Sequence, residues 1–220
     1  MSQPPQPAPE IPALTSLGVD PSRRLVIVDV DEVLGLFMQG FGRYLAGQGL
    51  EFRVDKFALF QNIYRPGEAE HLDIAEGRKH FDEFFREACA DMPLAPGAPD
   101  ALRALSRRAE IVILTNAPGQ AREARARWLL RHGMDYPLLL NSGPKGPLVA
   151  GLAAQAAGPI AFVDDLLPNL DSVADHAPAV ARFQTVADER LRPLAPAKPD
   201  LHTRIDDWRE LRLAIEAALG

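Results

Sequence analysis

The sequence predicts an α/β fold: a doubly wound parallel sheet interrupted by one small helical insertion. Three observations carry that expectation. Short apolar runs at 25–28, 110–114, 159–163 and 179–183 alternate with segments of helical periodicity, the pattern of strands laid side by side with helices over both faces. Those runs are nearly continuous in hydrophobicity, as strands buried on both faces should be. Polar groups then gather directly after the runs, and the carboxyl ends of parallel strands are where such sheets hold ligands.

Taken in order, residues 1–13 carry five prolines and little that could pack, so a disordered or loosely docked tail is expected. Residues 14–22 lead into a first strand at about 24–30. Residues 36–92 break the alternation and concentrate aromatics: Phe37, Phe41 and Tyr44 recur at helical spacing, as do Phe81, Phe84 and Phe85. Between them Tyr64-Arg65-Pro66-Gly67 reads as a turn. This stretch is expected to be a helical unit that packs on itself through its rings, core packing being favoured over a ring-stacking surface. Residues 93–99 (PLAPGAP) form a stiff link. Beyond it come a helix (100–108), a strand (110–114), a long Arg- and Ala-rich helix (119–132), a strand (136–140), a helix (146–157), a strand (159–163), a short helix (169–175) and a strand (179–183). A Pro-rich crossing at 193–199 precedes a closing amphipathic helix from 206 to 219.

Composition narrows the function classes. A chain of 220 residues suits one domain with an inserted subdomain. A net charge of −6 gives no general attraction to nucleic acid or to an anionic membrane. The single cysteine, Cys89, rules out an internal disulfide, fits a reducing compartment and reads as a small apolar residue. The first residues lack the basic start and apolar stretch of a secretory signal, and no run approaches the length of a membrane span. A cytoplasmic location is expected. Twenty arginines stand against four lysines, so an individual Lys can reflect a need for a compact ammonium.

Leu25 to Gly35 reads LVIVDVDEVLG. Asp29 and Asp31, spaced i, i+2 at a strand end, project to the same side. Two carboxylates that close repel unless a cation or a shared proton intervenes, which points to a divalent metal and phosphoryl transfer; the plainer alternative is an acidic loop. Thr115 and Asn116 follow IVIL, and Ala117-Pro118-Gly119 opens a helix whose N–H groups could hold phosphate oxygens. Alone, Thr115 could simply cap that helix. Lys145 sits in NSGPKGPLV, a loop bounded by glycine and proline that could aim an ammonium inward, although most lysines are solvated. Asp164 and Asp165 terminate IAFV, with Asn169 four residues after Asp165; adjacent carboxylates at a buried strand end call for a partner such as a metal ion.

Jointly, in the order Asp29-x-Asp31, Thr115, Lys145, Asp164-Asp165, these residues resemble the haloacid dehalogenase-like (HAD-like) hydrolase superfamily over about residues 24–185. PLAPGAPDALRALSRRAEIVILTNAPG also looks like that family's approach to its second motif. The resemblance implies a Rossmann-like core over 14–35 and 93–220, with 36–92 as the helical cap. It implies Asp29 as the nucleophile that becomes an aspartyl-phosphate, and Asp31 as general acid and then base. Mg²⁺ would be held by Asp29, the Asp31 carbonyl and Asp165, with Asp164 behind them. Thr115 and Asn116 would bind phosphoryl oxygens, and Lys145 would neutralise Asp29 and the phosphoryl group. Dehalogenating relatives lack an acid at the Asp31 position, so the likeness is to a phosphatase acting on a small phosphate monoester. A phosphomutase and a non-catalytic phospho-ligand module are the alternatives. The fourth motif departs from the commoner Gly-Asp. Gln39, Arg43, Lys56, Arg65, Arg78 and His80 are the polar residues of the insertion that could select a leaving group.

Overall fold

The computed structural model describes residues 11–220, and the first ten residues of the expected tail lie outside the described residues. Six parallel strands form one sheet: β1 (Arg24–Val28), β4 (Ala109–Asn116), β5 (Leu138–Asn141), β6 (Ile160–Asp164), β7 (Ala181–Gln184) and β8 (Thr203–Arg204). Their order is β5-β4-β1-β6-β7-β8, every neighbouring pair parallel. The chain therefore leaves β1 toward one edge through β4 and β5, then returns to its other side at β6. That reversal opens a crevice at the carboxyl ends of β1, β4 and β6.

Side-chain alternation divides the core into two layers. Val26, Val28, Ile111, Ile113 and Val163 face α3 (Ala98–Leu105), α4 (Arg122–Arg131) and α7 (Trp208–Leu219). Leu25, Ile27, Val112, Leu114 and Phe162 face α5 (Gly146–Ala153) and α6 (Leu167–His176). The doubly wound arrangement is thus present as expected. Residues 11–13, assigned to the tail, lie against α5: Gln155 donates to the Pro12 carbonyl and accepts from the Leu14 N–H. Among the described residues, no helix is long and apolar enough to cross a membrane.

Three departures from the expected elements have local causes. The first strand ends at Val28 rather than near residue 30, because the Val30 carbonyl gathers the N–H groups of Val33, Leu34 and Gly35 and curls the chain. Gly35 packs closely there, where a Cβ would lie 3.1 Å from the Trp128 ring and displace the Met92 methyl. The segment before α7 contributes β8, whose two residues are too few to show alternation. The insertion is not wholly helical. Between α1 (Phe37–Gly47) and α2 (Ile74–Glu87), an antiparallel pair forms from β2 (Glu51–Phe52) and β3 (Ile63–Tyr64).

The aromatics pair α1 with α2. Phe37 meets Phe84 and Phe85 at ring-centroid distances of 5.5 and 6.0 Å, and Phe41 meets Phe84 at 5.4 Å, the offset and edge-on arrangements that rings prefer. Core packing is indeed their main role. Cys89 is buried, with its thiol donating to the Phe85 carbonyl.

Candidate active site

Asp29 continues the β1 ladder through its N–H to the Val163 carbonyl, which sets its carboxylate between the ends of β4 and β6. Lys145 approaches from the β5–α5 loop at the first turn of α5. It is held there because Gly146 packs against α6 so closely that a Cβ would lie 2.2 Å from the Ser172 carbonyl oxygen, while its N–H donates to Ser172 Oγ. The Lys145 ammonium is wholly buried, 2.8 Å from Asp29 Oδ1 and 2.7 Å from Asp164 Oδ2. Burial alone would lower its pKa, but the charges of Asp164 and Asp29 override that and push it up.

The two acids ending β6 have different surroundings. Asp164 accepts from Lys145, from the Leu166 N–H and from both approaches of the Asn169 amide, so its oxygens are engaged by the protein. Asp165 is also buried, yet its carboxylate has no hydrogen-bond or ion-pair partner among the described residues. Burial, then the charges of Asp164, Asp29 and Glu32, drives its pKa well up. One oxygen from each of Asp29, Asp164 and Asp165 lies within 4.8 Å of the others. Three buried carboxylates against a single ammonium leave negative charge uncompensated, and hard oxygen donors in that number suit Mg²⁺. The residues therefore fit the metal.

Thr115 is buried at the end of β4, and its hydroxyl has no partner. Such an orphan carries a cost of about 1–3 kcal/mol unless a ligand completes it. The Asn116 amide is partly engaged: Nδ2 donates to the Gly143 carbonyl and Oδ1 accepts from Asn141, leaving one amide hydrogen for a ligand. Asp29, Asp31, Asn116, Asp165 and Asn169 border one cavity of about 250 Å³, and Lys145 lies directly beneath Asp29.

Two residues of the site were not singled out from the sequence. Arg125 on α4 is completely buried and ion-pairs with Asp31. Its guanidinium carbon stands 4.9 Å from the centre of the Phe85 ring, and Nη1 lies 3.6 Å from Met92 Sδ. Burial raises the Asp31 pKa, opposed by the Arg125 cation and assisted by the Asp29 charge. The signal existed in the sequence. Ala121, Ala124, Arg125, Trp128 and Leu129 form one buried helical stripe, and an arginine inside an apolar stripe demands a carboxylate partner. Glu32, the other, is buried at a left-handed φ of 56°. Its carboxylate accepts from the Met38 and Asp188 N–H groups, joining the start of α1 to the loop after β7. Burial lifts its pKa to about 8.

Breaking the Arg125–Asp31 pair has a checkable consequence. Arg125→Met should lower stability in urea unfolding by about 2–3 kcal/mol, because the Asp31 carboxylate is left without its cation. The loss falls below that of a fully buried pair since the Asp31 side chain is 22% exposed. Adding Asp31→Asn should restore part of it, a coupling of about 1–2 kcal/mol in a double-mutant cycle.

No family model matches this chain, and no curated protein matches it. Solved structures do. YfnB from Bacillus subtilis, named a HAD-hydrolase and determined bound to magnesium, aligns with a TM-score of 0.61 at 13% identity, over 88% of this chain and 99% of its own. A HAD-superfamily hydrolase of subfamily IA, variant 1, from Geobacter sulfurreducens aligns at 0.54 with 20% identity, over 90% and 97%. CbbY from Rhodobacter sphaeroides, in complex with xylulose 1,5-bisphosphate, aligns at 0.53 with 15% identity, over 86% and 96%. The chain therefore has the fold of the HAD-like hydrolases, as its motif order implied.

Proposed function

We propose that this protein is a Mg²⁺-dependent phosphomonoesterase that acts on a small phosphate ester through an aspartyl-phosphate at Asp29. The observation that carries this reading is the buried cluster of Asp29, Asp164 and Asp165, with the Lys145 ammonium on Asp29 and Asp164 and a cavity bordered by Asp29 and Asp165. In this reading residues 36–92 serve as the cap over a core of 14–35 and 93–220.

Asp29, the Asp31 carbonyl and Asp165 would hold the metal, with Asp164 keeping Lys145 in place. Bound there, Mg²⁺ would neutralise the charge shared by phosphate and carboxylates. The Asp29 carboxylate attacks phosphorus, the P–O bond of the ester breaks, and Asp31 gives its proton to the departing alkoxide. Asp31 then accepts a proton from water as the water oxygen attacks the phosphorus of the aspartyl-phosphate, which releases inorganic phosphate and restores Asp29. The Thr115 hydroxyl and the remaining Asn116 amide hydrogen donate to phosphoryl oxygens, and Lys145 holds charge on Asp29 through both steps.

The test is phosphate release from a panel of monoesters with Mg²⁺ and with excess chelator. Turnover that disappears on chelation and returns with Mg²⁺ is expected. A folded protein that hydrolyses no ester and binds no aluminium or beryllium fluoride contradicts the proposal. Transfer of the phosphoryl group to an added sugar in preference to water would make the enzyme a phosphomutase instead.

A further inference from the structure

The cavity lining combines two chemistries. Asp29, Asp31, Glu32, Asn116, Asp165 and Asn169 supply its polar groups, and Phe37, Met38, Phe57, Leu59, Phe81 and Leu166 supply apolar ones. Among the described residues, no Lys, Arg or His borders it. None of the six polar residues of the insertion expected to select a leaving group borders it. Arg65 pairs with Glu76 at 2.8 Å, His80 lies 3.5 Å from Glu83, and Arg78 stacks over Phe60 at 5.6 Å. Lys56 is exposed, and Gln39 and Arg43 border a separate groove beside Arg190.

Resting on the phosphatase reading above, we infer that the alcohol half of the substrate is uncharged, mainly apolar and ring-bearing. The metal and phosphoryl group would take up the acidic groups. What remains for the leaving group is a wall of phenyl rings, a thioether and aliphatic carbons. A second phosphate or carboxylate on the substrate would meet Asp31 and Glu32 with no free cation to receive it, and a chain of hydroxyls would meet few partners. A ring, by contrast, can lie against Phe57 and Phe81, which are only partly buried and border the cavity, while Met38 adapts to its outline. A volume of about 250 Å³ lies below the range of about 300–1,000 Å³ common for drug-sized ligands. That favours a single-ring alcohol. Asn62, fully buried, donates to the Lys56 and Ala58 carbonyls and so fixes the loop that presents Phe57 and Leu59.

Benzyl phosphate tests this, because its leaving group is an ordinary alkoxide and any preference reflects the ring. Its kcat/KM should exceed those of glycerol 3-phosphate and glucose 6-phosphate by about 100-fold, the scale on which a buried apolar group discriminates. Phe57→Ala, which removes a ring outside the α1–α2 aromatic stack, should shrink that ratio about tenfold. Metal-dependent hydrolysis of the glycerol or sugar ester at an equal or greater rate overturns the inference and leaves the phosphatase reading intact. A ratio unmoved by Phe57→Ala overturns it too. Hydrolysis of no ester at all removes the phosphatase reading and this inference with it.

Discussion

Replacing Lys145 with Met should cost metal-free protein about 3 kcal/mol of stability, read as a lower urea midpoint. The side chains are close in length, so packing changes little, but the ammonium that lies 2.8 Å from Asp29 and 2.7 Å from Asp164 is gone. Breaking a buried ion pair from one side leaves an uncompensated charge, worth about 3–5 kcal/mol; protonation of one of the stranded acids moderates the loss toward the lower figure. Added Mg²⁺ should recover part of it, since a divalent cation answers the same charge. Ester hydrolysis should fall by about 10³-fold, the range seen when a fixed charge is removed from a developing oxyanion. A Lys145→Met protein with unchanged midpoint and turnover would mean that the ammonium neither balances nor serves these carboxylates.

Asp29→Asn should behave oppositely in stability and more severely in activity. It removes one of three clustered carboxylates and keeps the Lys145–Asp164 contact, so the metal-free protein should be at least as stable as the parent. An amide cannot form the acyl phosphate, so turnover should drop by about 10⁴-fold or more. The contrast matters because a merely damaged fold would lose stability and activity together. Urea unfolding and phosphate release on the same two variants distinguish those outcomes.

Both variants fall on positions legible in the sequence. At Asp29 and at Asp164-Asp165 an apolar run switches abruptly to carboxylates, and that switch marks a strand end whichever tertiary structure follows. Thr115 and Lys145 gained their meaning from chain order, and the sheet topology brings their backbones to one crevice. Arg125 was harder to recognise because it lies within a helix rich in exposed arginines, and only its place in the stripe of Ala121, Ala124 and Trp128 sets it apart. Glu32 had no periodic signal, since its role depends on a left-handed turn and on two N–H groups from distant elements. The cavity wall could not be read at all. Polarity points to Arg43, Lys56, Arg65, Arg78 and His80, whereas the tertiary structure puts Phe57, Leu59 and Phe81 on the cavity that the acids border. The two-residue strands β2, β3 and β8 are shorter than any periodicity can register.

The most direct test of the central claim is rapid-quench mass spectrometry of the Asp31→Asn protein mixed with Mg²⁺ and 4-nitrophenyl phosphate, whose phenolate departs without a proton from the enzyme. Without a base to activate water, the covalent species should accumulate. The account predicts a gain of one phosphoryl group on the peptide that contains Asp29, reversed by hydroxylamine as an acyl phosphate should be. A phosphoryl group on any other residue, or ester cleavage with Asp29 unmodified throughout, would contradict it.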